Sequence, residues 1–463
     1  MSAVRWPCPL TLFHSTKLNN VHICASQPPL KFDMESHYSK ISKHSHRIKK
    51  KRKIVYEEEQ KTLTLEQCNV SSSKQFKSTS YQRHTNHRTK RDSKSSHFYR
   101  KWSYSDCDSS AFRDKLVLVS YNILAVENAS KHPHLYLEVP FKYMEWDHRR
   151  AAICKELTQY DPSILCFQEV DRFSDLHDAL QQDGFKGVLK ARTGDAQDGC
   201  AIFWKDERFK LLHEENIEFQ SFGLRNNVAQ FCVLKMNDDQ LNSDPALSMS
   251  TSLVVGNIHV LFNPNRGDIK LGQIRLFLEK AHRLSEEWGG IPVVLAGDYN
   301  SVPQSALYEY VSSAKLDILQ HDRKRICGQI ETPLRHNSLF KQPFRQKRLQ
   351  YGWNDEELKL AAGSEKVTCL QHSLKLHSAY LGVPGNIVTR DDVGEPWATS
   401  CHSKFLGTVD YIWHSEHLIP VRVLETLPRN ALENIGGLPS KNWGSDHLAL
   451  VCEFAVANFK TPV

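Results

Sequence analysis

The sequence predicts an α/β fold in which two β-sheets pack face to face with helices on the outside. Two observations carry that reading. From Trp102 onward, short apolar and β-branched runs recur as buried strands, and only two or three segments with helical spacing lie between them, in one domain of about 360 residues. Several of the runs also stop on Asn, Asp, Glu or His, and strand ends in a packed sheet lie near one rim, where distant sequence positions converge.

Residues 1–97 stand apart. They are rich in Ser, Lys, Arg, Thr and His, show little hydrophobic periodicity, and cannot bury enough apolar area to offset chain entropy. They read as a disordered basic tail, and residues 98–463 as the catalytic domain. In that domain Leu116–Val119 is the first buried strand. Ile153, Leu157 and Tyr160 have helical spacing, stopped by Asp161-Pro162. Strands follow at Ile164–Phe167, Gly199–Trp204, Val228–Leu234 and Leu253–Leu261. Ile274, Phe277, Leu278 and Ala281 recur at i, i+3, i+4 and i+7, so 268–288 is an amphipathic helix closed by Gly289-Gly290. Pro292–Ala296 is a strand leading into Gly297-Asp298-Tyr299-Asn300. A polar stretch, roughly 322–400, has no clear pattern. Val409–Trp413 and Leu448–Phe454 are the last strands, with Asp446-His447 opening the final one.

Charge separates the same two regions. Residues 1–110 hold 21 Lys and Arg against 9 Asp and Glu, net +12, and the remainder is −5, within a chain of +7. Lys49–Lys53 is a dense basic run that reads as a nuclear import signal, a nucleic-acid anchor or a solvated tail. Residues 1–32 lack Asp and Glu, which leaves an organellar transit peptide open. The expected compartments are nucleus and cytoplasm. No apolar stretch approaches the roughly 18–20 residues of a membrane helix, so no membrane partner is expected. The twelve cysteines form no Cys-x-x-Cys pair; Cys154, Cys166, Cys200, Cys232 and Cys452 sit in apolar runs and read as buried free thiols.

The polar strand ends outline a metal-assisted site for attacking a phosphodiester. Such chemistry needs a cation to neutralise growing charge, a base to activate water and groups to hold the non-bridging oxygens. Glu169, after Leu165–Gln168, is the candidate carboxylate ligand for Mg²⁺, which binds few protein carboxylates and keeps several waters. Asn122, after Ser120-Tyr121, offers a neutral oxygen ligand or is a turn residue. Asp298 is the candidate general base, and Asn300 the group that fixes substrate or metal water. His259 interrupts an apolar run; it is a phosphate contact or a core histidine. His447 can grip a phosphate oxygen if its tautomer is held. Asp410 is a charge inside an apolar run and needs a partner, for which His447 is the natural choice.

Taken in order, Asn122, Gln168-Glu169, His259, Gly297-Asp298-x-Asn300, Asp410-Tyr411 and Ser445-Asp446-His447 resemble the endonuclease/exonuclease/phosphatase superfamily over roughly residues 98–457. Val119–Leu124, Asp198–Phe203 and Arg266–Lys270 are similar to the branch of carbon catabolite repressor protein 4 deadenylases, Angel proteins and nocturnin, nearest to plant homologs of the Angel-like type. The resemblance implies a DNase-I-like, four-layer sandwich of two packed mixed β-sheets flanked by helices. It implies Mg²⁺-dependent 3′-to-5′ trimming of poly(A) RNA with release of AMP, or action on cyclic phosphates at RNA ends. It makes Glu169 and Asn122 metal-site residues, Asp298 and Asn300 the water-activating pair, His259 and His447 phosphate binders, and Asp410 the residue that orients His447. Pro264 and Phe405 match positions that sandwich an adenine, though ordinary packing also accounts for Phe405. The resemblance implies the carbon catabolite repressor 4–NOT complex as a partner, onto which the founding deadenylases dock through a leucine-rich repeat; this chain shows a basic tail in place of that repeat.

Overall fold

The computed structural model describes residues 100–108, 112, 114–237, 252–329 and 349–457. The basic tail with its Lys49–Lys53 run lies outside the described residues, as does 330–348 of the polar stretch. No helix among the described residues is long and apolar enough to cross a membrane.

The strands are β1 (Trp102–Tyr104), β2 (Lys115–Asn122), β3 (Ile164–Gln168), β4 (Phe185–Ala191), β5 (Gly199–Lys205), β6 (Phe209–Glu218), β7 (Val228–Met236), β8 (Ser252–His259), β9 (Val293–Asp298), β10 (Lys315–Asp317), β11 (Cys369–Gln371), β12 (His377–Ser378), β13 (Ser400–His402), β14 (Phe405–Gly407), β15 (Asp410–His414), β16 (Leu418–Leu424) and β17 (Leu450–Val456). One sheet runs β1-β16-β17-β2-β3-β5-β4 and the other β12-β15-β9-β8-β7-β6; β10-β11 and β13-β14 are two-stranded ribbons. Both large sheets are mixed: β2–β3 and β8–β9 pair in parallel, between antiparallel neighbours.

The two-residue period of a strand sorts its side chains into layers. Leu116 and Leu118 of β2, Ile164 and Cys166 of β3, Val255 of β8, Val294 and Ala296 of β9 and Ile412 of β15 fill one core between the sheets. Their alternates face outward. Val119, Tyr121, Leu165 and Phe167 pack against Ile153 and Leu157 of the helix Trp146–Leu157 and against Leu176 and Leu180 of the helix Phe173–Gln182. Val254, Ile258, Val293, Leu295 and Trp413 pack against Ile274, Phe277, Leu278 and Ala281 of the helix Gly267–Glu287. Each such side chain contributes roughly 1.5–3 kcal/mol on burial. The result is the four-layer α/β/β/α sandwich.

Three expectations are corrected. Helices outnumber the two or three read from spacing: Val126–Lys131, Phe141–Met144, Ala306–Ser313, Asp355–Ala362 and Arg429–Ile435 also form. At 4–8 residues they are too short to show a helical period, and Asp355–Ala362 starts on a capping box at Asn354 instead. The final strand begins at Leu450, not at Asp446-His447, because the backbone there bonds to the β13–β14 ribbon: Cys401 N–H donates to Asp446 O at 2.8 Å and Leu448 N–H to Thr399 O at 2.7 Å. Cys154 is only partly buried, whereas Cys166, Cys200, Cys232 and Cys452 are buried, free thiols.

Candidate active site

Strand parity carries the site. Continuing the inward-facing positions gives Asn122 on β2, His259 on β8, Asp298 on β9 and Asp410 on β15, each the terminal residue at one end of its strand. Register then sets them abreast: His259 pairs with Asp298 across β8–β9, and Asp298 with Asp410 across β9–β15. The residue before Asp298 must be glycine. Gly297 has φ +149°, and a Cβ there would stand 2.0 Å from the Ile258 carbonyl oxygen. Glu169 and Asn300, just past their strands, hold positive φ of 58° and 47°, backbone strain of the kind that collects at functional sites.

Asn122 links the two sheets. Its amide Nδ2 donates to Glu169 Oε1 and to Asp298 Oδ2, both at 3.1 Å. Glu169 Oε2 also accepts from Ala125 N–H at 3.0 Å and from Asn128 Nδ2 at 2.8 Å. His447 Nδ1 lies 2.8 Å from Asp410 Oδ2, the partnership expected for a buried carboxylate. That contact turns His447 Nε2 toward Asp298, 3.9 Å from its Oδ2, while His259 Nε2 approaches the same oxygen at 3.6 Å. Both separations exceed hydrogen-bond length, so two imidazoles and a carboxylate line a gap rather than close on each other.

Electrostatics distinguish the members. Burial, then the facing Asp410 charge, push the Asp298 carboxyl up to about 7, against the pull of His447 and of donors from Asn300 and Asn122. For His447 burial opposes the charge, but Asp410 outweighs it and holds the imidazole well above the ordinary histidine value. Burial takes His259 the other way, down to about 4, so it is neutral at physiological pH. Asp298, Asp410 and His447 offer ligand atoms that all lie within 4.8 Å of one another. Asp410 Oδ1 and His259 Nδ1 are buried without a hydrogen-bond partner. The unpartnered Asp410 Oδ1 and the carboxylates of Asp298 and Glu169 give the rim the hard, acidic lining that a divalent cation needs.

A second tier holds these groups. Asn300 is fastened on every side: its N–H donates to Asp298 Oδ1 at 2.8 Å, its Nδ2 to Val260 O at 2.9 Å, and its carbonyl accepts from the buried Lys270 Nζ at 2.5 Å. Gln329 closes the network, accepting from Lys270 at 3.0 Å and donating to Asn300 Oδ1 at 3.3 Å. Behind the site, Gln168 Nε2 donates to Asn257 Oδ1 at 2.8 Å across the two sheets. The fully buried Arg149 donates through Nη1 to Ile123 O at 2.8 Å and Gly444 O at 3.3 Å, joining the chain after Asn122 to the loop before His447. Sequence reading singled out none of Lys270, Asn257 and Arg149 for a role. Asn257 carried a signal, as a second polar residue in the apolar run that contains His259; Lys270 entered only within the Arg266–Lys270 word of the resemblance, and Arg149, on a helix with charged neighbours, gave none.

The structure brings Asn122, Glu169, His259, Asp298, Asn300, Asp410 and His447 to one rim. Pro264 and Phe405 are less central. Pro264 is half-buried in the turn between β8 and the helix Gly267–Glu287. Phe405 opens β14, half-buried, its ring 6.0 Å from that of His402. Both segments grow from the site, Pro264 five residues beyond His259, and Phe405 on the ribbon whose Ser400 bridges to His447.

The model of the Endonuclease/Exonuclease/phosphatase family matches residues 119–447. Two Arabidopsis thaliana proteins are similar over most of the chain. Carbon catabolite repressor protein 4 homolog 5 is 56% identical over 377 residues, covering 79% of this chain and 82% of that protein. Homolog 3 is 46% identical over 369 residues, covering 78% and 80%. Among solved structures, ANGEL2, a 2′,3′-cyclic phosphatase in complex with adenosine-2′,3′-vanadate, is 30% identical with a TM-score of 0.63, covering 77% of this chain and 99% of that one. The acidic, histidine-lined rim and these likenesses agree: the chain belongs to the endonuclease/exonuclease/phosphatase family, as a metal-dependent phosphoesterase similar to the carbon catabolite repressor 4 and Angel proteins.

Proposed function

We propose that the chain is a Mg²⁺-dependent 3′-to-5′ exoribonuclease that shortens poly(A) tails and releases AMP. The observation that carries the reading is the gap lined by Asp298 Oδ2 and the Nε2 atoms of His259 and His447, too wide for direct hydrogen bonds and backed by Asp410. A phosphoryl group presents acceptor oxygens to the imidazoles and a water to the carboxylate. Asp298, in its ionised form, takes the water proton as the new phosphorus–oxygen bond forms. His447, charged and held in one tautomer by Asp410, directs its Nε2–H to a non-bridging or leaving oxygen. The 3′-oxygen of the preceding nucleotide then departs. Neutral His259 offers a second contact from across the gap.

Glu169 and, with its amide rotated, Asn122 Oδ1 are the residues that would hold Mg²⁺; the bound ion supplies charge neutralisation for the phosphoryl oxygens. Pro264 and Phe405 frame the adenine, with stacking contributing about 1–3 kcal/mol per base. A second reading, opening of 2′,3′-cyclic phosphates at RNA ends, is favoured by the 30% identity to ANGEL2. The same residues serve it, with a ribose oxygen as leaving group.

One assay separates them. Two end-labelled RNAs, one ending in a run of A with a free 3′-hydroxyl and one in a 2′,3′-cyclic phosphate, are incubated with Mg²⁺ and with EDTA. A ladder of shortened A-tails, lost in EDTA and in Glu169→Gln, is the expected outcome. Opening of the cyclic end at full length moves the protein to RNA-end processing. No change to either RNA overturns both readings.

A further inference from the structure

Beyond His259 the rim continues into a corner that the roles above leave unused. The β4–β5 loop carries Arg192, Thr193 and Asp198, and Asn226 and Asn227 lead into β7. Arg192 Nη1 donates to Asp198 Oδ1 at 3.2 Å and Nη2 to Asn226 Oδ1 at 2.7 Å. Two bonds fasten the corner to the site. Asn227 Nδ2 donates to the His259 carbonyl at 3.1 Å. Val170 N–H, next to Glu169, donates to Gly199 O, next to Asp198, at 3.0 Å.

The corner lacks a full set of partners. Asp198 is 2% exposed and its Oδ2 has no hydrogen-bond partner. Arg192 Nε and the Thr193 hydroxyl are also buried atoms without partners among the described residues. Buried donors and acceptors are mostly paired, and three of the unpaired ones among the described residues fall in this one loop. An Arg192–Asp198 ion pair that only closed the β4–β5 hairpin would explain the bonds that are made, but not the three left open. The Arg192 side chain stays 19% exposed, so the corner meets solvent on one side. Arg225, exposed at φ +70°, and Phe222, 56% exposed, stand on the segment that leads into Asn226.

Two donors for an anion and one buried carboxylate for a hydroxyl match a ribose phosphate. The geometry points to a subsite for the RNA nucleotide next to the scissile phosphate. Its phosphate oxygens sit on Arg192 Nε and Thr193 Oγ1, and its ribose 2′-hydroxyl donates to Asp198 Oδ2. This inference rests on the RNA reading above.

The test uses direct binding and turnover together. Anisotropy with labelled A10 and dA10, in Mg²⁺, is measured for the wild type, Arg192→Met, Thr193→Val and Asp198→Asn. Arg192→Met weakens A10 binding about tenfold and Thr193→Val by a smaller factor. Asp198→Asn shrinks the preference for A10 over dA10. In turnover, Arg192→Met raises KM for A10 at unchanged kcat and leaves ApA, which has no neighbouring phosphate, unaffected. Thr193→Val loses no hydrogen bond of the structure, so it tests the subsite even where Arg192→Met unfolds. A10 binding unchanged in both variants, or ApA and A10 affected alike, overturns the subsite. If the wild type turns over neither RNA but binding still responds as stated, the subsite stands and the proposed reaction falls.

Discussion

Two regions of this molecule bury ionised side chains between its sheets and loops, and they do so in opposite styles. Arg390 and Glu425 meet through two guanidinium donors, each at 2.8 Å from a carboxylate oxygen, and Thr389 and Ser103 satisfy the same carboxylate. Arg390 Nη1 goes to Tyr380 O at 2.8 Å and Gly394 O at 2.7 Å. Beside them Arg100 donates to Glu156, to Glu425 O and to Ala449 O, while Tyr121 and Tyr160 complete Glu156. In that region every charge has its complement. At the rim, two carboxylates face each other, Asp298 is lifted to about 7, and Asp410 Oδ1 and His259 Nδ1 have no partner. Closed networks hold a fold, and open ones leave room for chemistry.

The sharpest way to break that comparison is Asp298→Ala. Turnover of labelled RNA falls on the order of 10²–10⁴-fold. Stability, read as the urea midpoint, moves little, because losing the hydrogen bonds from Asn122 and Asn300 and the pull of His447 is offset by relief of the burial cost and of the repulsion from Asp410. A large loss of stability would mean that the rim is a closed network after all.

Arg390→Met is the converse. It strands Glu425 among groups arranged for a guanidinium, a loss of about 3–5 kcal/mol. Turnover per folded molecule stays at the wild-type level. A variant that keeps its urea midpoint would show that the closed network is not what holds these loops.

A third prediction compares the two ends of one strand. β15 runs from Asp410 at the site to His414, and both face inward. His414 Nδ1 contacts Ser415 O at 3.0 Å, and its buried Nε2 has no partner. Burial takes its pKa from 6.5 to about 4. The sign follows: a depressed folded-state value contributes stability that is present above pH 6.5 and lost as pH falls through about 4. The loss reaches roughly 3 kcal/mol, and His414→Leu flattens the acid limb of stability against pH by that amount. An unchanged limb would place a proton or a water on Nε2 at neutral pH.

The inward-facing end of each strand also decides what the sequence could reveal. Asn122, Glu169 and Asp298 were legible because each polar residue ends an apolar run, and Asp410 because it is a charge inside one; a run fixes both strand and face. The strands β1, β4, β6 and β16 were not, since Phe185–Ala191 and Phe209–Glu218 alternate with charged residues on half-exposed edges. Arg149 and Lys270 were hidden for a different reason. On a helix a basic residue normally faces water, and only the tertiary packing shows that these two point inward, onto the carbonyls of Ile123 and Asn300. Partners 26 and 30 residues away in sequence leave no local pattern to read.

The smallest expected effect separates the two roles that sequence left for Phe405. Phe405 is half-buried on a ribbon tied to His447, with His402 as its ring neighbour. If it stacks on an adenine, Phe405→Ala raises KM for oligo(A) by the equivalent of about 1–3 kcal/mol and leaves the melting temperature in place. If it packs a core, stability falls by about 3–5 kcal/mol and KM of the folded fraction does not move. Its partial exposure and its place on the site's own edge favour the first outcome. Measuring both quantities on one preparation keeps the two roles apart, because a stacking ring and a packing ring lose different free energies when truncated.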